Sequence, residues 1–282
     1  MNYFTLNNDT TIPAVGFGVF MIPNNGPTYE ATLAALKAGY RHIDTAAGYM
    51  NESDVGKAIK DSGIPREEIF ITSKLWLQDY GYEGAKKGIE NSLALLGVDY
   101  LDLYLLHQPY GDYLGAWKAL EEAVEAGKIK SIGISNITIN LWNKFKDGMT
   151  VMPVVNQVEF NPFTQQKELR KVMDEYHIRL EAWYPLGHGN KDLLENETIV
   201  SLANKYNKNA GQIILRWIYQ EGVISLPKST NPERMKGNIE IFDFELNEVE
   251  MKAIQALDTG MGTHNPEDPA NETRLMGLKI HD

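Results

Sequence analysis

The chain has 282 residues, of which 43% are hydrophobic and 23% charged, with a formal net charge of −11 and no cysteine. This composition holds enough apolar material for a large core and argues against disorder, while the acidic balance argues against a protein built to wrap nucleic acid. The lack of cysteine excludes disulfides, thiolate catalysis and thiolate metal sites, and it permits a cytoplasmic home.

No apolar run approaches the roughly 20 residues that cross a bilayer. Residues 1–9 lack the basic and apolar regions of a secretory signal, so no membrane association is expected. Neither a Gly/Ser/Pro-rich linker nor an internal repeat divides residues 1–282, and the expectation is one domain.

The chain opens with two β-rich runs, 3–6 and 10–12, about the turn Asn7-Asn8-Asp9, which reads as a hairpin. Eight further candidate strands follow at 15–18, 41–44, 69–74, 101–106, 129–135, 152–157, 179–184 and 223–227. Helix-period stretches lie between them. Ile89, Leu93 and Leu96 share one face, as do Trp117, Leu120 and Val124, and then Leu169, Val172, Met173 and Tyr176. Strands alternating with helices imply right-handed parallel βαβ units, and eight of them close into a (β/α)8 TIM barrel, a fold of about 250 residues. A further helix follows, with Val249, Ile254 and Leu257 inward, and a polar tail runs over 259–282.

An open doubly wound sheet is the competing fold. Its dinucleotide fingerprint fails here, because Met21 stands where Gly16-Phe17-Gly18 needs a third glycine. Gly133-Ile134-Ser135-Asn136-Ile137 likewise misses the last glycine of a nucleophile elbow. The six histidines show no metal-binding spacing, and a metal-free site is expected.

In such a barrel, chemistry sits at the C-terminal ends of the strands, where core positions are otherwise apolar. Here those ends carry Asp44, Lys74, His107, Ser135, Asn136, Gln157, Tyr184 and Lys228 in succession. Any one of them has an ordinary structural explanation, but the repetition does not. Tyr49 lies five residues beyond Asp44. A phenol is a sluggish acid at neutral pH, and a nearby ammonium makes it a better donor. Asp44 can compensate Lys74 at the barrel mouth, and His107 can orient a carbonyl oxygen. These groups suit protonation of an oxygen becoming an alkoxide, with electrons from a cofactor.

Asp44-Thr45-Ala46-Ala47-Gly48-Tyr49-Met50-Asn51-Glu52 resembles the D-T-A-x-x-Y-x-N-E signature of the aldo-keto reductase superfamily. Ile71-Thr72-Ser73-Lys74-Leu75-Trp76, Asp102-Leu103-Tyr104-Leu105-Leu106-His107, Gly133-Ile134-Ser135-Asn136 and Ile224-Ser225-Leu226-Pro227-Lys228-Ser229 continue the likeness in the family's order. The run Lys74-Leu75-Trp76, with Gln78-Asp79 and Gly81-Tyr82, is similar to the microbial diketogluconate and methylglyoxal reductase branch.

The resemblance implies an NADPH-dependent reductase of small aldehydes, ketones or dicarbonyls. Tyr49 matches the proton donor, Lys74 and Asp44 its tuning partners, and His107 the carbonyl-orienting residue. Ser135, Asn136 and Gln157 match the residues that bond the nicotinamide carboxamide, and Tyr184 the ring that stacks on the nicotinamide. Lys228, Ser229 and Arg234 match the 2′-phosphate site, with adenine near Asn238. Independently, hydroxyls, cations and a helix start at Pro232 suit a phosphate. Gly237 departs from the glutamate that many members carry there.

Phe20, Trp76 and Trp117, with His107 and the tail, are expected around the substrate mouth. The partner is a small carbonyl substrate for a monomeric enzyme, without nucleic acid or membrane. Two other functions compete: a regulatory nucleotide binder on the same scaffold, and a barrel glycosidase pairing Glu159 with Asp44.

Overall fold

A computed structural model describes residues 2–282. The opening hairpin is present, with β1 (Tyr3–Thr5) antiparallel to β2 (Thr11–Pro13). Then come β3 (Phe17–Gly18), β4 (His42–Asp44), β5 (Phe70–Leu75), β6 (Leu101–Leu106), β7 (Ile129–Ser135), β8 (Val155–Glu159), β9 (Arg179–Trp183) and β10 (Ile224–Ser225). These eight strands form one sheet in chain order, and each neighbouring pair is parallel. Val15 bridges Ser225, and the Gly16 amide donates to the Ser225 carbonyl at 2.8 Å, so the first strand meets the last and the barrel closes.

Helices α1 (Pro27–Ala38), α2 (Glu52–Asp61), α3 (Tyr82–Leu96), α4 (Tyr113–Glu125), α5 (Ile139–Phe145) and α6 (Lys167–Glu175) follow β3 to β8 in turn. After β9 the chain forms α7 (Lys191–Leu194), α8 (Glu197–Tyr206) and α9 (Ala210–Gln220), and after β10 it forms α10 (Pro232–Ile239). No helix among the described residues is long and apolar enough to cross a membrane.

Strand edges differ from the sequence reading where proline intervenes. The strand placed at 152–157 is β8, beginning at Val155, because Pro153 has no N–H to give a ladder. Two further assignments change. Val249, placed inward, is 77% exposed near the start of α11 (Glu248–Gln255), whereas Ile254 is buried. The tail at 259–282 is ordered and includes α12 (Pro269–Met276), capped by the Asp268 side chain.

Because the strands are covered on both faces, they divide the core into two layers. Outward side chains such as Ile71, Tyr104 and Ile132 pack under the helices with Trp117, Trp142 and Trp217. Inward, Phe70, Leu103, Leu105, Val155 and Ile224 pack with Leu6 and Ile12 of the hairpin region, which plugs the N-terminal end of the barrel. Towards the C-terminal end the inward row turns polar, and the site begins there.

Candidate active site

Tyr49 closes a short 3₁₀ turn, Ala47–Tyr49, after β4. The turn is braced from beneath. Thr45 Oγ1 donates to Asn51 Oδ1 at 2.8 Å, and Asn51 Nδ2 donates to the Val19 carbonyl at 3.2 Å. Glu52, buried at the start of α2, accepts from Ser73 Oγ at 2.5 Å and ties α2 to β5. Three residues of the signature thus position the fourth.

Lys74 alternates with Phe70 and Thr72 on β5 and so points into the barrel. It is fully buried. Its Nζ donates to Asp44 Oδ1 at 2.7 Å and to the Thr45 carbonyl at 2.8 Å, and lies 3.4 Å from the Tyr49 hydroxyl. Burial opposes the ammonium, but Asp44, then Tyr49 and Glu181, outweigh it and hold Lys74 above its ordinary pKa. Burial likewise pushes the Asp44 carboxyl up, against the pull of Lys74 and Gln157.

Two readings from sequence change here. Lys74, expected at the barrel mouth, is fully buried, and its partner Asp44 is only 4% exposed. Tyr49 is not tuned below its ordinary value. Burial raises it, and Lys74 offsets only part of that rise.

His107 follows β6, with its ring 5.4 Å from that of Tyr49 and 5.2 Å from that of Trp76, edge-on to both. Burial, then Lys74, push its pKa well below the ordinary value, so the imidazole is neutral. Asn136 sits at φ 59°, and its Oδ1 accepts from Trp183 Nε1 at 2.9 Å while its Nδ2 donates to the His107 carbonyl at 3.3 Å. Ser135 Oγ donates to the Gln157 carbonyl at 2.9 Å. Met21, Met50, Asn136 and Tyr184 all take φ near 60° just beyond barrel strands. Such left-handed non-glycine residues concentrate at functional edges.

Gln157, inward on β8, donates from one nitrogen to Asp44 Oδ2 at 2.9 Å and to Glu181 Oε2 at 2.8 Å. The residues that the resemblance matches to a phosphate site gather around the start of α10. Asn231 Oδ1 caps the Arg234 amide at 3.1 Å, and Ser229 Oγ accepts from the Asn231 amide at 3.0 Å. Lys228 and Arg234 are exposed, while Asn238 is buried on the same helix. At the mouth, the Phe20 ring lies 4.9 Å from Tyr49. Trp76 packs with Leu77, Tyr110 and Leu275, and its Nε1 donates to the Leu278 carbonyl at 2.9 Å.

Two residues fall elsewhere than the sequence placed them. Trp117 is fully buried in the layer between α4 and the barrel. Its helical stripe with Leu120 already signalled that face. Tyr184 turns out of β9 at φ 63° and lies against His188, at 4.4 Å between ring centres. The aromatic on the inward row of β9 is Trp183, by alternation with Arg179 and Glu181. That same alternation exposes Glu181 and Trp183, and it was present in the sequence. Tyr110 and Leu275, by contrast, carry no local signal. Glu159, which a glycosidase would pair with Asp44, is instead engaged by the tail, accepting from the Thr263 amide at 2.7 Å and hydroxyl at 2.9 Å.

The profile described as Aldo/keto reductase family matches residues 15–259. The chain is 47% identical to the glyoxal reductase of Bacillus subtilis over 254 residues, covering 90% of this chain and 91% of that protein. It is 41% identical to the 9,11-endoperoxide prostaglandin H2 reductase of Trypanosoma cruzi, covering 91% and 92%. Among solved structures, an aldo-keto reductase from a Medee basin deep-sea metagenome library superposes with TM-score 0.90 at 43% identity, over 94% of this chain and 97% of that one. A mutant of Gox0644 in complex with NADPH superposes at 0.88 and 38% identity, with the same coverage. Likeness of this extent, in sequence and in backbone, has one explanation: the chain belongs to the aldo/keto reductase family of oxidoreductases.

Proposed function

We propose that the chain is an NADPH-dependent reductase of small aldehydes, ketones and 1,2-dicarbonyls, with Tyr49 as the general acid. The observation that carries this reading is the buried chain from Asp44 through Lys74 to the Tyr49 hydroxyl, opening on a mouth lined by Phe20, Trp76 and Tyr110. The likeness to a glyoxal reductase supports dicarbonyls as the first substrates to try.

The donor set fits the cofactor at both ends. Lys228 and Arg234 form no ion pair among the described residues and stand at a helix N-terminus, which suits the 2′-phosphate with Ser229. Ser135, Asn136 and Gln157 would hold the carboxamide, with Asn238 near the adenine. Trp183, rather than Tyr184, offers the flat face for the nicotinamide. NADPH supplies the hydride with its electron pair.

The protein supplies the proton and the geometry. The neutral His107 can donate a hydrogen bond to the carbonyl oxygen and hold it beside the Tyr49 hydroxyl. As that oxygen becomes an alkoxide, the phenolic proton crosses to it and leaves a phenolate. The Lys74 ammonium then stabilises the phenolate, and Asp44 keeps Lys74 charged in a site closed to water. The closed interior thus makes a weak acid effective only when a strong base appears opposite it.

Absorbance assays with glyoxal, methylglyoxal, aldehydes and ketones, each with NADPH and with NADH, test the reading. Turnover with NADPH is expected. A folded chain that binds NADPH but oxidises it with none of these compounds belongs instead to the regulatory alternative. The reading keeps a monomer in the cytoplasm, which sedimentation and cell fractionation check.

A further inference from the structure

The barrel interior holds a buried carboxylate that the proposed reaction does not use. Glu181 is fully buried on the inward row of β9, level with Gln157 on β8 and Ile224 on β10. One nitrogen, Gln157 Nε2, bridges Asp44 Oδ2 and Glu181 Oε2 at 2.9 and 2.8 Å. The Asp44 carboxylate, which can only accept, sets which end of the Gln157 amide faces the two acids, because only the NH2 can donate to it. The amide oxygen is thereby turned away from both acids.

We propose that Glu181 is a positioning residue for the carbonyl reduction, acting through the Gln157 amide on Asp44 and, through Asp44, on the Lys74–Tyr49 pair. The inference rests on the function proposed above and extends it to a residue outside the tetrad.

The groups facing Glu181 fix its charge. On β4, Asp44 repels a second anion, and His42 lies 3.8 Å from Glu181 Oε1. Burial, then Lys74, push the His42 pKa down to about 3, so it offers no charge, and its Nε2 is already paired with Thr72 Oγ1 at 2.9 Å. On β5, Lys74 is spent on Asp44. Below on β9, Arg179 donates to the Gly222 carbonyl at the far end of the barrel. Glu181 Oε1 has no hydrogen-bond partner among the described residues. An ionised Glu181 would therefore be an uncompensated buried charge. Burial, then Asp44, push its pKa up to about 8, so at neutral pH it is the neutral acid. Above that pH its charge raises the Tyr49 pKa and makes the phenol a poorer donor.

The test compares kcat against pH for the wild type and Glu181→Gln, with NADPH and the best substrate of the panel. Glutamine keeps an acceptor for Gln157 but cannot ionise. In the wild type, kcat should fall through an inflection near pH 8, and in the variant that inflection should move up by about a unit or more. An inflection at the same pH in both proteins overturns the proposal. Glu181→Leu removes the acceptor, and several-fold changes in both kcat and the KM for NADPH are expected. No change in either also overturns it. Infrared difference spectra of wild type minus Glu181→Gln at pH 6 need no turnover, and they should show the carbonyl band of one protonated carboxyl group. Absence of that band removes the neutral acid. Failure of wild-type turnover on every substrate sinks the proposed function instead, and the spectrum still reads Glu181.

Discussion

At Tyr49 the proposed chemistry depends on one hydrogen atom. Tyr49→Phe removes the phenolic proton and little else, since the ring keeps its place against Phe20 and His107. Reduction should fall by roughly 10²- to 10⁴-fold, the usual weight of a general acid, with NADPH affinity within a few-fold. Steady-state kinetics beside a cofactor titration check this, and near-normal kcat would remove Tyr49 from the role. Lys74 is a different case, because it is both proposed catalyst and buried ion. Lys74→Met should lose activity by about 10²-fold or more, and should also lose stability. The orphaned Asp44 carboxylate is only 4% exposed, and breaking a buried pair costs about 3–5 kcal/mol. Asp44 can escape that cost by taking a proton, so the loss should be smaller at pH 5 than at pH 8. Urea unfolding at the two pH values measures it. An equal loss at both would mean that the carboxylate is not the source.

At the scale of an element, α10 is the proposed seat of the cofactor's 2′-phosphate. Its first turn is built by Asn231, which caps the helix, and Pro232, whose fixed φ suits that position. The cap satisfies the Arg234 amide, while the side chains of Arg234 and Lys228 are exposed. Arg234→Ala should weaken NADPH by roughly 10- to 150-fold and NADH little, the difference being the 2′-phosphate. Fluorescence titration of both cofactors reads this directly. Equal losses for the two would assign Arg234 to the fold rather than to the phosphate. The C-terminal segment is the other decisive element. Thr263 is held by Glu159, Pro266 by the Tyr110 hydroxyl, and Leu278 by Trp76, so a segment that reads as a polar tail forms one wall of the substrate mouth.

At the scale of the whole molecule, His42 and Glu181 contribute opposing slopes of stability with pH. His42 has an ordinary value of 6.5 and a folded value of about 3, so the unfolded chain binds the extra proton between them. Stability from His42 is therefore present above pH 6.5 and is lost as the pH falls towards 3. Glu181 has an ordinary value of 4.5 and a folded value of about 8, so there the folded chain binds the extra proton. Its contribution is present below pH 4.5 and is lost as the pH rises towards 8. Between 4.5 and 6.5 these two contributions offset one another, while His107, also held neutral by burial, adds a loss of stability as the pH falls. Above 6.5 the wild type should decline, while Glu181→Gln should decline less. Melting curves from pH 4 to 9 for both proteins check the sign. Parallel declines above pH 6.5 would mean that Glu181 ionises freely in the folded state.

The order of the eight strands, the hairpin and the polar strand-end cluster of Asp44, Tyr49, Lys74 and His107 were legible in the sequence, because each is a local pattern. Strands that are buried on both faces read as apolar runs, and a polar residue ending such a run marks the edge of the barrel. What the linear pattern did not carry is how deep and which way those side chains lie. Lys74 sits in a closed interior rather than in water because the strands wrap round it and the Tyr49 loop covers it. That enclosure reverses the expected direction of the Tyr49 shift and makes the lysine a stability element. Trp117 and Tyr184 lie elsewhere for a related reason: the helical stripe of Trp117 with Leu120 sets it on the core face, and strand alternation sets Trp183, not the Tyr184 matched by resemblance, on the inward row. The alliance of Glu181 with Asp44 joins strands far apart in sequence through a single amide, and only closure of the barrel brings them within hydrogen-bonding distance.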